Sequence, residues 1–109
     1  DRCLWIFPPT VWTGVAEDLL KAASPFSRRG RLLQRRIIAP AQEVEIDRSG
    51  RVNVPNALLE SAGMERDVTL LVMEKYMELW DSEGYAAYEE ESERELQEAA
   101  EELGGLVSF

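Results

Sequence analysis

Histidine is absent from the 109 residues, cysteine occurs once, and no apolar run approaches the length of a membrane span. Each absence removes a class of chemistry. Without histidine the commonest general base near neutral pH is missing, and zinc loses its imidazole ligands. The lone Cys3 has no histidine to activate it and no second thiol to pair with, so neither a thiol nucleophile nor a disulfide framework is expected. Its place in an apolar run reads as a small buried hydrophobe, and the lack of disulfides points to a reducing, cytoplasmic setting. The seven serines lie in no nucleophile motif, and no glycine-rich phosphate loop precedes a helix. Glu89-Glu90-Glu91 on a solvated helix makes no closed oxygen cage for a divalent cation. The reading is a non-enzyme with no cofactor, no metal and no membrane association.

Positive charge is also scarce, with twelve Lys and Arg against twenty-one Asp and Glu and a net charge of −9. It is concentrated, however. Residues 28–51 hold seven arginines against Glu43, Glu45 and Asp47, a local net of +4. Residues 52–109 hold three basic and fifteen acidic groups, a net of −12. Phosphate binding depends on local cationic density, because counterions are released locally. The acidic C-terminal part must then lie away from any nucleic acid that the basic part meets.

What is present is a compact signal at Asp47-Arg48-Ser49-Gly50-Arg51. Before it, Gln42-Glu43-Val44-Glu45-Ile46 alternates polar and apolar; after it, Val52-Asn53-Val54-Pro55 alternates again and stops at a proline. Two period-two runs around a short Asp/Ser/Gly segment are the sequence form of a β-hairpin. Val44, Ile46, Val52 and Val54 are expected on one buried face. The Asp47 carboxylate is suited to accept from turn N–H groups and Gly50 to take a positive φ, so both are read as loop-organising. Arg51 and Asn53 then share the exposed face, and Arg48 stands at the tip. Guanidinium groups there suit phosphates and guanine edges. From the residues alone, Arg51 serves equally well as a structural partner of Asp47 or as a DNA contact. Arg48 has only solvent or DNA to choose between, and Asn53 either bonds a base edge or simply solvates.

Around the hairpin, Thr10 is placed to cap a helix running to Ala23, with Val11, Trp12, Val15, Leu19 and Ala23 on one stripe. Ser24-Pro25 ends it and can open a second helix with proline first, carrying Arg28, Arg29, Arg31, Arg35 and Arg36 and closed by Pro40. That helix reads as an interface or a solvated face rather than a base-reading element. Asn56 to Ala62 predicts a short helix stopped by Gly63. Asp67 to Met73 and Tyr76 to Trp80 predict two strands with a turn at Glu74-Lys75. A last helix is expected from Ser82 to Leu103, ended by Gly104-Gly105, with Tyr85, Tyr88 and Leu96 packing inward. Trp5, Trp12 and Trp80 read as core or subunit-interface residues.

Leu4 to Trp12 can be laid over Met77 to Tyr85. In each copy a strand ends on an aromatic, Phe7 or Trp80, and another aromatic follows, Trp12 or Tyr85; the offset of 73 residues suggests two repeats. In the second copy a hairpin and a strand precede Met77, whereas almost nothing and no initiator methionine precede Leu4. The expectation is that about one hairpin and one strand, with a first copy of the Asp…Gly-Arg loop, come before Asp1.

The run Asp47 to Pro55 resembles the D-x-x-G-R-hydrophobic-x-hydrophobic-P signature of the AbrB/MazE swapped-hairpin superfamily. Within it, Cys3-Leu4-Trp5-Ile6-Phe7-Pro8 with Trp12, Arg31 with Arg35, Ala41, and Glu78-Leu79-Trp80-Asp81 are similar in order and spacing to the MraZ family, from residue 1 to about residue 90. Asn53 stands where many members carry an apolar residue. The resemblance implies an α+β fold of AbrB-type swapped-hairpin β-barrel repeats with added helices. Residues 1–12 would end a first SpoVT-AbrB-like repeat, 13–40 form a helical connector, 41–84 a second repeat, and 85–109 an acidic C-terminal helix and tail. It further implies a transcriptional regulator whose Arg48, Arg51 and Asn53 contact DNA on a loop organised by Asp47 and Gly50. The partners implied are double-stranded promoter DNA and further copies of the chain in a ring, which would bind G-rich direct repeats upstream of its own division and cell-wall operon, in a cytoplasmic, nucleoid-associated setting. The rival reading is an antitoxin-like protein-interaction scaffold that binds a partner through its acidic helix and no operator.

Overall fold

The computed structural model describes residues 2–104. Three short strands make one antiparallel sheet in the order β1 (Leu4–Ile6), β3 (Met77–Asp81), β2 (Val68–Val72), so the fold is mixed α and β. β2 and β3 form a hairpin whose turn closes with the Met73 amide donating to the Tyr76 carbonyl at 2.9 Å. Both strands lie within a residue of their predicted limits. β1 sets Leu4 opposite Leu79, Trp5 opposite Glu78 and Ile6 opposite Met77. Under the 73-residue offset Trp5 corresponds to Glu78, while Leu4 and Ile6 correspond to Met77 and Leu79. The strand therefore runs antiparallel to the segment that the offset lays over it, with Trp5 opposite Glu78 at the centre of the pairing. The aromatics that follow obey the same relation: Phe7 and Trp12 have ring centroids 5.6 Å apart, and Trp80 and Tyr85 have theirs 5.3 Å apart.

The helices start where local donors and acceptors are satisfied, which corrects two expectations. α1 (Pro9–Ala22) begins at Pro9, not behind a Thr10 cap: proline in the first turn gives up no needed N–H, and Pro8 supplies the carbonyl that receives the Trp12 amide at 2.9 Å. α2 (Arg28–Leu33) begins after Ser27, whose hydroxyl accepts from the Gly30 amide at 2.9 Å, and not at Pro25. It continues as a π-helical segment, Gln34–Ile38, in which the Ala39 amide reaches the Gln34 carbonyl at 2.8 Å. The Gln34 side chain donates to the Ala23 carbonyl at 3.0 Å and ties this connector to the end of α1.

α3 (Asn56–Ser61) ends in a Schellman turn. Gly63 takes φ +66°, its amide donates to the Glu60 carbonyl at 3.0 Å, and the Met64 amide donates to Leu59 at 3.0 Å. Asp81 begins α4 (Ser82–Gly104): one carboxylate oxygen accepts from the Gly84 amide at 3.2 Å and the other from the Glu65 amide at 3.3 Å. The predicted stop at Gly105 lies outside the described residues.

Trp80 is the centre of the packing, 4% exposed, with the Tyr85 and Tyr88 rings 5.3 and 5.0 Å from its own and its indole N–H donating to Glu78 at 3.2 Å. A second cluster joins Phe7 to Trp12 and, stacked at 5.3 Å, to Tyr76. Two apolar surfaces stay open. Pairing puts Leu4, Ile6, Met77 and Leu79 on the same side of the sheet as Val68, Leu70 and Val72, and Val72 is 77% exposed. The expected burial of the hairpin face is also corrected: Val44, Ile46 and Val52 are exposed, and a single Ile46–Val52 bridge joins the two arms. A two-stranded ribbon with nothing packed on its apolar side cannot bury it. Leu96 does not pack inward either. It lies eleven residues beyond Tyr85, about 16 Å farther along a helix that rises 1.5 Å per residue, and is exposed there.

Candidate nucleic-acid interface

Four hydrogen bonds build the loop between the hairpin arms. The Asp47 amide donates to the Arg51 carbonyl at 2.9 Å, and the Gly50 amide donates to the Asp47 carbonyl at 3.0 Å. One Asp47 carboxylate oxygen then accepts from the Ser49 amide at 2.9 Å and from the Arg51 amide at 2.8 Å. Gly50 completes the turn at φ +78°, a conformation that an L side chain enters at a cost. The carboxylate is thus turned onto its own loop.

Arg48, Arg51 and Asn53 are all exposed. Arg51 bonds Asp47 through its main chain, and its guanidinium makes no hydrogen bond or ion pair among the described residues, nor does that of Arg48. Arg51 is thus a structural partner of Asp47 through its main chain, and its side chain stands outside that pairing. Arg51 and Asn53 alternate with Val52 and Val54, so they share the face opposite the hairpin's apolar side. Within six residues two unpaired guanidiniums offer bidentate donors to phosphates or to the O6 and N7 of guanine, and a carboxamide offers one donor and one acceptor to a base edge.

Elsewhere the charges divide. Arg28, Arg29, Arg35 and Arg36 are exposed on the connector, while Arg31 donates to the Pro25 carbonyl at 2.9 Å. α4 carries nine glutamates and Arg94, and the Arg94–Glu98 contact at 3.4 Å is the one ion pair among the described residues. Among those residues no cluster of His, Cys, Asp and Glu is placed to hold a metal ion, and no helix is long and apolar enough to cross a membrane. Titration is perturbed far from the loop: burial, then the Glu78 carboxylate, pushes the Cys3 thiol above its ordinary range, and desolvation followed by Glu78 raises the Tyr76 phenol.

Several structural residues escape sequence reasoning. Arg2 donates through Nε to the Ser61 carbonyl at 3.2 Å at the end of α3, a contact across 59 residues with no local signal. Gly30 fits where a Cβ would stand 2.0 Å from the Ser24 carbonyl oxygen. A glycine isolated among arginines in a helical pattern was the available cue.

Residues 37–105, which take in the hairpin, α3, β2, β3 and α4, match the family model described as "MraZ protein, putative antitoxin-like". The chain belongs to the MraZ family. A protein named transcriptional regulator MraZ from Treponema denticola is 45% identical over 105 residues, 96% of this chain and 73% of that relative. The protein of the same name from Treponema pallidum is 40% identical over 106 residues, 97% of this chain and 71% of its own. That from Heliobacterium modesticaldum is 36% identical over 104 residues, 94% of this chain and 71% of its own.

Proposed function

We propose that this chain is a transcriptional regulator that binds double-stranded promoter DNA sequence-specifically, at G-rich direct repeats upstream of its own division and cell-wall operon. The observation that carries the reading is the loop: Asp47 satisfies the main chain, and the Arg48 and Arg51 guanidiniums remain unpaired. These two arginines contact the DNA, with Asn53 beside them and Asp47 and Gly50 holding the loop. The names of the MraZ relatives agree with regulation of transcription.

The open apolar surfaces support the proposed architecture. The hairpin's exposed Val44, Ile46 and Val52 and the uncovered sheet face suit a swapped-hairpin barrel in which residues 41–84 interleave with a second unit of the same kind, to which residues 1–12 belong. Copies then assemble as a ring, which lines up basic loops on successive repeats and lets weak contacts add as avidity, with residues 85–109 directed elsewhere. The setting is the cytoplasm, at the nucleoid.

Fluorescence anisotropy of the full-length protein on the DNA upstream of its gene, against a shuffled duplex across a salt series, tests this. Tighter binding to the native duplex, weakening steeply with salt, is expected. Equal or absent binding, with recovery of one stoichiometric protein partner, would replace it by the antitoxin-like scaffold that the acidic α4 favours.

A further inference from the structure

Two helical faces of the chain are exposed, apolar at the centre and framed by charges of opposite sign. On the connector, Leu32 is 53% exposed and lies three or four residues from each of Arg28, Arg29, Arg35 and Arg36, which surround it on one face. Leu33 is exposed as well, and Phe26, just before α2, is 94% exposed. On α4, Leu96, Ala99, Ala100 and Leu103 follow helical spacing, with Glu93 at one edge and Glu95 and Glu102 at the other; Leu96 is 61% exposed. None of the four arginines has an ion-pair partner among the described residues.

We infer that the two faces form one interface between copies of this chain, with α4 of one copy lying on the arginine-framed connector of the next. The inference rests on the assembly reading above and supplies its contact. A phosphate-binding surface needs cations but gains nothing from an open phenylalanine and leucine at its centre. A partner helix with an apolar stripe buries them while its glutamates meet the surrounding guanidiniums, and such charge matching fixes register and excludes wrong partners. Because the two faces differ, the contact is head-to-tail: it passes from copy to copy and closes as a ring when the rotation closes. The same contact resolves the segregated charge, since glutamates occupied by the connector arginines do not face DNA.

Native mass spectrometry of the full-length protein, with operator anisotropy alongside, decides it. Glu93→Arg/Glu95→Arg/Glu102→Arg and, separately, Arg28→Glu/Arg29→Glu/Arg36→Glu are expected to reduce the assembly to single chains. Combining both sets is expected to restore the wild-type mass, which a merely unfolded variant would not do. An assembled wild type whose mass neither set changes overturns this interface and leaves the ring reading standing. A wild type that is a single chain overturns both. Failure of the combined variant to reassemble, with circular dichroism showing each set folded, overturns the interface. A connector variant of wild-type mass that loses operator binding does so too, and assigns that face to DNA.

Discussion

Asp47 and Arg51 are joined twice through the main chain of Arg51, whose amide donates to the Asp47 carboxylate at 2.8 Å and whose carbonyl receives the Asp47 amide at 2.9 Å. The Arg51 guanidinium takes no part. The loop is therefore held by the main chain of Arg51, which leaves its side chain free for the DNA contact proposed above. Arg51→Ala keeps both hydrogen bonds and, as an exposed change, is expected to alter unfolding free energy by no more than about 0.5 kcal/mol. Operator affinity is expected to fall about tenfold or more, in line with the ~1–3 kcal/mol of a guanine contact, with assembly mass unchanged. Thermal melts beside anisotropy check this. A large drop in Tm with unaltered DNA binding would assign the side chain to structure.

The opposite behaviour is expected of Asp47 and Gly50. Asp47→Ala leaves the Ser49 and Arg51 amides without their acceptor and is expected to cost about 1–3 kcal/mol, whereas Asp47→Asn keeps an acceptor oxygen and costs less. An added Cβ at Gly50 meets no atom within 4 Å, so the expected cost of Gly50→Ala, about 1 kcal/mol, is the left-handed backbone alone, and Gly50→Asn is milder. Both loop variants are also expected to weaken the proposed operator binding although every arginine is retained. Urea denaturation showing Gly50→Ala as stable as wild type would mean that the loop does not need this backbone.

The loop, the β2–β3 hairpin and the run of helices were legible because each depends on neighbours within a few residues: an aspartate ahead of a glycine, alternation on either side, a glycine after α3. The antiparallel pairing of Trp5 with Glu78, two positions that the 73-residue offset lays over each other, was not legible, since an offset in sequence does not state how two segments pair. Helix starts were misplaced where two candidates competed. Pro9 outcompeted Thr10 because proline needs no partner for its nitrogen, and Ser27 outcompeted Pro25 because its hydroxyl reaches the Gly30 amide. Burial was misjudged for Ile46 and Leu96, whose apolar sides have no covering element within the chain's described residues. Periodicity tells which side is apolar, not whether a single chain covers it.

Glycine at position 30 makes the start of the connector possible. A Cβ there would stand 2.0 Å from the Ser24 carbonyl oxygen and 2.8 Å from the Ser24 nitrogen, both main-chain atoms that cannot rotate aside. Gly30→Ala is expected to displace α2, loosen the Ser27 cap and cost about 2 kcal/mol or more. Gly14, inside α1, is the control, because an added methyl there would meet no atom within 4 Å. Gly14→Ala is expected to stabilise by about 0.5–1 kcal/mol. Calorimetric melts of the pair should move in opposite directions. Equal shifts would show that the connector yields to admit the methyl.

Cys3, one of the two described groups with a raised pKa, gives stability a pH dependence that a chemical probe can follow. Burial, and after it the Glu78 carboxylate, raises its thiol pKa, so the fold favours the neutral thiol. Below the ordinary thiol pKa both folded and unfolded chains keep the proton and the contribution is constant. As pH rises through that value the unfolded chain ionises first, and stability falls until the higher folded pKa is passed. Because the thiolate is the reactive form, iodoacetamide at about pH 8 is expected to alkylate Cys3 several-fold more slowly in the native protein than in urea. Glu78→Gln removes the charge yet keeps an oxygen for the Trp80 indole, so it is expected to lower the Cys3 pKa and speed alkylation without loosening the aromatic core. Equal rates in folded and unfolded protein would mean that the site neither shields the thiol nor perturbs it.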